Sequence, residues 1–422
     1  MQIHPTWHRV FCLFCLLACI SGCTGGTSPE PTTSEVLGVE DSEIRIGSSL
    51  ALSGHAQYLG TQTLRGALCY INYINDSGGV HGRQIRMIAY DDAYDPPKCV
   101  ANTQRLIIED QVFALSCYVG TPTTVKILPM VQDAQIPLIG MFTGANALRS
   151  PFKRYLINVR ASYYQETEAA VKHLVEDLGL RKIAVFYQYD AYGFDGLTGT
   201  ELALRRYDLQ PVARGTYIRG TMDIDEGLHR IMNSGAEAVV MIGTYDPCAK
   251  FIQEAERQGF DPLFYNVSFV GAEELARRLE EQPGAMVILS QVVPLPHHAE
   301  TKNDQGGPDY IDLLHRYYPQ EKPNFIGQEG FFNAKVLVEG LRRAGRDLTR
   351  EKFLDAIESI RNFPLADELS VSFDPDDHQG LDRVYFFRLD NGRFTLIEDW
   401  GKIGSEFAKR QPQGPDLGGY QP

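Results

Sequence analysis

From Ile44 onward, short apolar runs alternate with longer segments whose apolar side chains recur every three or four positions. The first pattern suits covered strands of a parallel sheet, and the second suits helices that lie on it. Ile44–Leu52, Gln84–Tyr90, Val112–Leu115, Pro137–Phe142 and Tyr155–Val159 read as strands. Between the first two, Leu64, Ala67, Leu68, Ile71 and Ile74 mark the inner face of a helix that stops at Asp76-Ser77-Gly78-Gly79. A second cycle comes next. Gln165–Leu178 reads as a helix with Val171, Leu174, Val175 and Leu178 on one face, and Lys182–Tyr187, Ala238–Ile242, Leu263–Val267 and Ala285–Gln291 read as strands. Two such runs of roughly 120 residues predict two doubly wound α/β lobes.

Beyond Pro294 the pattern changes. Tyr310–Tyr317, Gln328–Ala344 and Lys352–Ser359 read as helices, and the strands Leu369–Phe373, Arg383–Leu389 and Arg393–Ile397 close the chain. Asn391-Gly392 between the last two is a strong hairpin signal. His297-His298 falls in a polar loop, where adjacent side chains do not converge on one metal. Asp91-Asp92 is expected to solvate a strand end or cap the next helix.

The stretch VFALSCYVGTPTTV, residues 112–125, is a strand running into a helix start. Gly120 permits close backbone approach, Thr121 suits the N-cap and Pro122 the first helical position. That end suits a carboxylate or phosphate, and the Thr121 hydroxyl both caps and donates.

A chain of 422 residues holds two ordinary cores, and a net charge of -14 without a basic patch argues against nucleic acid as a partner. Val10–Ile20 is an apolar run too short to span a bilayer and right for a secretory signal. It leads into Ile20-Ser21-Gly22-Cys23, which resembles the lipoprotein box with Cys23 as the lipidated residue, and residues 24–34 read as a tether. Segments 1–22 and 23–43 are therefore expected to be a signal peptide and a lipidated leader. Cys69, Cys99, Cys117 and Cys248 remain in an oxidising compartment, with Cys99 and Cys117 a candidate disulfide. No G-x-S-x-G, H-E-x-x-H or phosphate loop appears, so neither an enzyme nor a metal or cofactor is expected.

The ordered segments LSGHAQYLG, RGALCYINYINDSGGVHGRQI, YDDAYDP, VGTPTT, MFTGANAL, YDAYG, GTYDP, NVSFVG, QVVP and DHQG give the chain a family likeness. It resembles the type I periplasmic solute-binding proteins, in the branched-chain amino-acid receptor branch of ABC importers. The resemblance implies two Rossmann-like lobes joined by three crossover strands, with a ligand clamped between them. Lobe I would comprise residues 44–160 and 293–365, and lobe II residues 161–292 and 366–410, leaving 411–422 as a tail. Thr121 and Thr143 would donate to the ligand carboxylate, within the loops Val119-Gly120-Thr121 and Thr143-Gly144-Ala145. Tyr58 and Leu59 would pack on the ligand, and Tyr192 and Tyr245 would close over it.

One position departs from the family. Where relatives that bind α-amino acids hold the ammonium with an acid, this chain reads Asn266-Val267-Ser268-Phe269. Either Asp246, Asp190 or Glu329 replaces that acid, or the solute carries no amine. The resemblance implies an anchored binding protein with permease subunits as partners. The alternative is a sensory lipoprotein that presents its solute to a kinase or chemoreceptor.

Overall fold

Residues 36–280, 284–297 and 308–410 are described by the structure, a computed structural model. Cys23, the leader, His298 and the tail beyond residue 410 lie outside them. The first lobe starts with β1 (Glu43–Leu50), α1 (Gln57–Asp76), β2 (Gln84–Asp91), α2 (Pro96–Ile108) and β3 (Ala114–Ser116). It continues through α3 (Thr121–Lys126), α4 (Leu128–Asp133), β4 (Leu138–Ile139) and β5 (Leu156–Ile157). All five strands are parallel, in the order β2-β1-β3-β4-β5.

The second lobe repeats this winding. It runs α5 (Tyr163–Lys172), β6 (Ile183–Gln188), α6 (Ala191–Arg205), β7 (Arg214–Tyr217), α7 (Asp225–Met232) and β8 (Ala238–Ile242). After these come α8 (Tyr245–Arg257), β9 (Leu263–Asn266), α9 (Ala272–Leu279) and β10 (Val287–Gln291). The parallel order β7-β6-β8-β9-β10 reproduces that of the first sheet. The chain then returns to the first lobe as α10 (Tyr310–Tyr317), α11 (Phe325–Ala344) and α12 (Arg350–Glu358), followed by the small pair β11 (Phe363–Ala366) and β12 (Leu369–Val371). It ends in the second lobe. β13 (Tyr385–Asp390) pairs antiparallel with β10, β14 (Arg393–Leu396) pairs with β13 across the expected Asn391-Gly392 turn, and α13 (Trp400–Arg410) comes last.

Two crossovers lie side by side. Leu381 N–H donates to Val159 O and Gly380 N–H to Asn158 O, both at 2.8 Å, where residues 158–162 leave the first lobe and 379–381 leave it again. The third passes through Pro294, whose carbonyl accepts from Gln328 Nε2 at 2.8 Å. His378 of the DHQG segment is buried beneath this junction, between Leu156 O and Glu358 Oε1.

Several expectations change. β4 and β5 have two residues each, because ladder pairing at this edge is limited to Leu138–Leu156 and Ile139–Ile157. Thr121 is the first helical residue, not the cap; Gly120 takes that place at φ +94°. Tyr192 lies in the first turn of α6, not in a loop. The expected helix from Gln165 widens into a π turn at His173–Asp177. Leu64 and Leu68 are half-buried, whereas Thr63, Gly66 and Ala67 are buried against α11. Cys99 and Cys117 do not pair: all four described cysteines are free and buried. The Cys99 thiol faces Asp92, Ser49 and Thr103, while Cys117 Sγ lies 3.5 Å from Ser116 Oγ.

Glycines set the α1–α11 approach. A side-chain carbon on Gly66 would lie 1.8 Å from Gly327 O, and one on Gly330 would lie 2.1 Å from Thr63 O. Overpacking such a contact costs about 1–3 kcal/mol. Gly66→Ala is therefore expected to lower the chain's thermal midpoint by more than Gly179→Ala, which meets no clash and strains only a φ of +70°; calorimetry of both variants checks it.

Candidate functional site

The ends of β3 and β4 bring two predicted loops together. Val119 bridges Phe142 in parallel, which places Thr121 Oγ1 2.7 Å from Thr143 Oγ1. Both hydroxyls are buried, and Ala145 N–H donates to Thr143 Oγ1 at 3.3 Å. Two things call for glycine at position 120: its positive φ, and the Tyr94 ring, whose Cε2 would lie 2.0 Å from a side-chain carbon there. Gly144 plays the matching part on the other loop, its carbonyl accepting from Tyr163 N–H at 2.8 Å.

Facing these hydroxyls is an aromatic cluster from both lobes. Phe269 is fully buried, with ring centroids 4.8 Å from Tyr192, 5.4 Å from Phe142, 5.9 Å from Tyr94 and 6.5 Å from Tyr163. Tyr192 donates to Gly243 O at 3.3 Å, whereas the buried Tyr163 hydroxyl has no hydrogen bond. Nearer α1, Tyr58 meets the Tyr245 ring edge-on at 6.5 Å. Leu59 comes so close to the Gly271 turn that a side chain there would meet it at 2.9 Å. Tyr58 and Leu59 thus face Tyr245 across the lobes, and the turn Ser268–Gly271 links this contact to the Phe269 cluster.

Beneath the aromatics lies a buried charge network. Glu166 Oε1 accepts from Arg160 Nη2 and Ser268 Oγ, each at 2.9 Å, and Oε2 accepts from Ser268 N–H at 2.8 Å and Ser290 Oγ at 2.5 Å. The Arg160 guanidinium sits 5.3 Å from the Phe142 ring and 5.6 Å from the Tyr163 ring, with Nη1 3.4 Å from Glu329 Oε2. Burial pushes the Glu329 carboxyl up to about 7, against the pull of Arg160.

Each of the three candidate acids faces an arginine, and the one facing Glu329 is shared with Glu166. Asp190 caps α6 through Tyr192 N–H at 3.0 Å and pairs with Arg219 at 3.0 Å, burial raising its pKa. Asp246 pairs with Arg278, and Glu329 faces Arg160. Asp91 and Asp92 act as braces: Asp91 accepts from Leu52 and Ala93 N–H, and Asp92 from Ser49 Oγ and Tyr94 N–H.

Sequence reasoning missed Tyr94, Phe142, Arg160, Tyr163, Glu166 and Phe269. Phe269 stood inside a noted segment, but a lone aromatic after a strand reads as core filling. Arg160 and Glu166, charged residues beside apolar strand and helix positions, were the available signal, although their partners Ser268, Ser290 and Glu329 are more than 100 positions away.

Residues 43–393 match the sequence model of the family described as periplasmic binding protein. The chain belongs to that family. It is 31% identical to a structure described as a possible leucine/isoleucine/valine-binding protein from Rhodopirellula baltica, with a TM-score of 0.79 over 86% of this chain and 98% of that one. An amino acid binding protein of Pseudomonas aeruginosa is 25% identical over 58% of this chain and 66% of its own length. The Leu/Ile/Val-binding protein homolog 7 of Brucella abortus is 24% identical over 71% of this chain and 77% of its own. A branched-chain amino acid ABC transporter structure from Thermus thermophilus with bound valine shares the fold at 18% identity and a TM-score of 0.73.

Glu166 is fully buried and saturated by four donors, so truncating it strands Arg160 and three further polar groups. Breaking a buried pair in this way costs about 3–5 kcal/mol. Glu166→Ala is expected to lose stability on that scale in denaturant unfolding, while Glu168→Ala, whose pair with Arg206 is exposed, changes it by less than about 1 kcal/mol.

Proposed function

We propose that this family member captures a small carboxylate-bearing solute, an amino acid or a related compound, between lobes comprising 44–160 with 293–365 and 161–292 with 366–410. Tethered to the cell envelope through a lipid on Cys23, it delivers the solute to the permease of an ABC importer. The observation that carries this reading is the buried Thr121–Thr143 hydroxyl pair at the strand ends, faced by aromatics of the other lobe. Ligands of open α/β sheets bind at such strand ends. Hydroxyl and backbone donors suit a carboxylate. The aromatic rings of Tyr192 and Phe269 suit the apolar remainder of the solute.

The names of the relatives favour an amino acid, and Glu329 is then the acid best placed to receive its ammonium. It is buried, lies on the floor of the cluster, and meets Arg160 without a hydrogen bond. Asp190 and Asp246 are already engaged by Arg219 and Arg278.

The mature chain from Thr24 is to be melted with leucine, isoleucine, valine and phenylalanine, and with 4-methylpentanoate and 3-phenylpropanoate as amine-free counterparts. A ligand at 100 times its dissociation constant stabilises by about 2.7 kcal/mol, a shift of several degrees. A shift with amino acids alone supports Glu329 as the amine partner; a shift with the amine-free acids alone replaces the amino acid by a simple carboxylate. No shift with any of them refutes the proposed ligand class. Thr143→Ala is expected to weaken whichever ligand binds by about tenfold or more, as loss of a hydrogen bond to a charged group implies.

A further inference from the structure

Two carboxylates of the second lobe reach across to backbone N–H groups of the first. Asp195 on α6 accepts from Asn146 N–H at 3.0 and 3.2 Å to its two oxygens. Glu273 on α9 accepts through Oε1 from Phe325 N–H, at the first residue of α11, at 2.8 Å. The contacts involve different helices of the second lobe and separate segments of the first. Resting on the two-lobe capture reading above, we propose that Glu273 is a proton-coupled latch, with Asp195 as a second tie between the lobes, so that closing takes up a proton at Glu273 and acid favours the closed form.

The geometry at Glu273 carries the argument. Its Oε2 is buried with no hydrogen-bond partner. A bare carboxylate edge is costly there, whereas a protonated carboxyl keeps Oε1 as the acceptor for Phe325 and removes the charge. Among the described residues, the titratable groups around it provide no cation: Glu274 on its own helix, Tyr58 on α1 and Tyr310 on α10 all disfavour its ionised form or are disfavoured by it. Asp195 faces Arg149, itself lowered to about 9 by burial, and Tyr164. Burial pushes Glu273 up to about 7 and Asp195 up to about 6.

With the lobes apart, both carboxyls meet water and return towards ordinary values near 4. A group raised in the closed form favours closure fully below its open-form pKa and loses that effect as pH rises through its closed-form pKa. For Glu273 alone, the closing equilibrium is about tenfold more favourable at pH 6 than at pH 8. Asp195 is held by the Asn146 N–H and faced by Arg149, both of which favour its charge, so Asp195→Asn is expected to leave most of the pH response in place. Glu329, on the site floor beside Arg160, also titrates near neutrality and is left untouched by variants of the latch.

The test is small-angle scattering of the unliganded mature chain at pH 6 and pH 8, for the parent, Glu273→Gln and Asp195→Asn. Glutamine keeps the acceptor oxygen and lacks the charge. The parent is expected to have the smaller radius of gyration at pH 6, and Glu273→Gln to remain compact at pH 8 with most of the pH response gone. A parent radius that does not change with pH overturns the latch, as does a full pH response in Glu273→Gln. Melting with leucine and 4-methylpentanoate at both pH values separates this proposal from the ligand assignment. Equal binding of the amine-free 4-methylpentanoate, which makes no ion pair with Glu329, at pH 6 and pH 8 overturns the latch and leaves the solute reading standing. Compaction at pH 6 with neither compound bound supports the latch and refutes the ligand class.

Discussion

The buried Glu166 carboxylate is the point on which the lobe junction depends. A charge removed from water must be met by donors and a counter-charge, or it ruins the fold that buries it. Here the donors come from three places: Arg160 on the first crossover, Ser268 just after β9, and Ser290 within β10. Satisfying one side chain therefore fixes the exit of the first lobe against two central strands of the second. The same helix turn holds a third segment. Gln165 Oε1 accepts from Ser162 N–H in a capping box and from Gln379 Nε2 on the neighbouring crossover.

From that anchor the site is built. Ser268 is held by its N–H and its hydroxyl, so the adjacent Phe269 has little freedom and points its ring into the space between the lobes. The first lobe answers with Phe142, Tyr94 and the hydroxyls of Thr121 and Thr143. A floor of compensated charge, a wall of aromatic rings and a rim of hydroxyl donors make an environment for a small amphipathic anion. Arg219 and Arg278 pair with Asp190 and Asp246, while Arg160 alone serves both Glu166 and Glu329.

The resemblance to the binding-protein family and the repeated strand order agree on how such a site is built. Both lobes wind their strands as 2-1-3-4-5, so both present strand ends towards the same gap. A fold that is kept at 18% identity leaves the chemistry at those ends free to vary.

The sequence by itself determined the alternation of strands and helices, the two windings, the return helices and the Asn391-Gly392 hairpin. Each of these is a local or periodic property, set by which face of an element is apolar and by a turn that tolerates positive φ. The strand-end segments carrying Thr121, Thr143, Tyr192 and Tyr245 were legible from their motifs, although three of these residues open helices. Tertiary structure alone decided the rest. Leu64 and Leu68 lost the inner face of α1 to Thr63 and Gly66 because α11 approaches there at backbone distance. Gly120 holds the cap position in place of Thr121, packed where a side chain would run into Tyr94. Cys99 turned to Asp92 and Ser49 and left Cys117 unpaired. The partners of Arg160, Glu166 and Glu273 came from segments 6 to more than 100 positions away. Periodicity records which side of an element is buried, but it does not record what it is buried against.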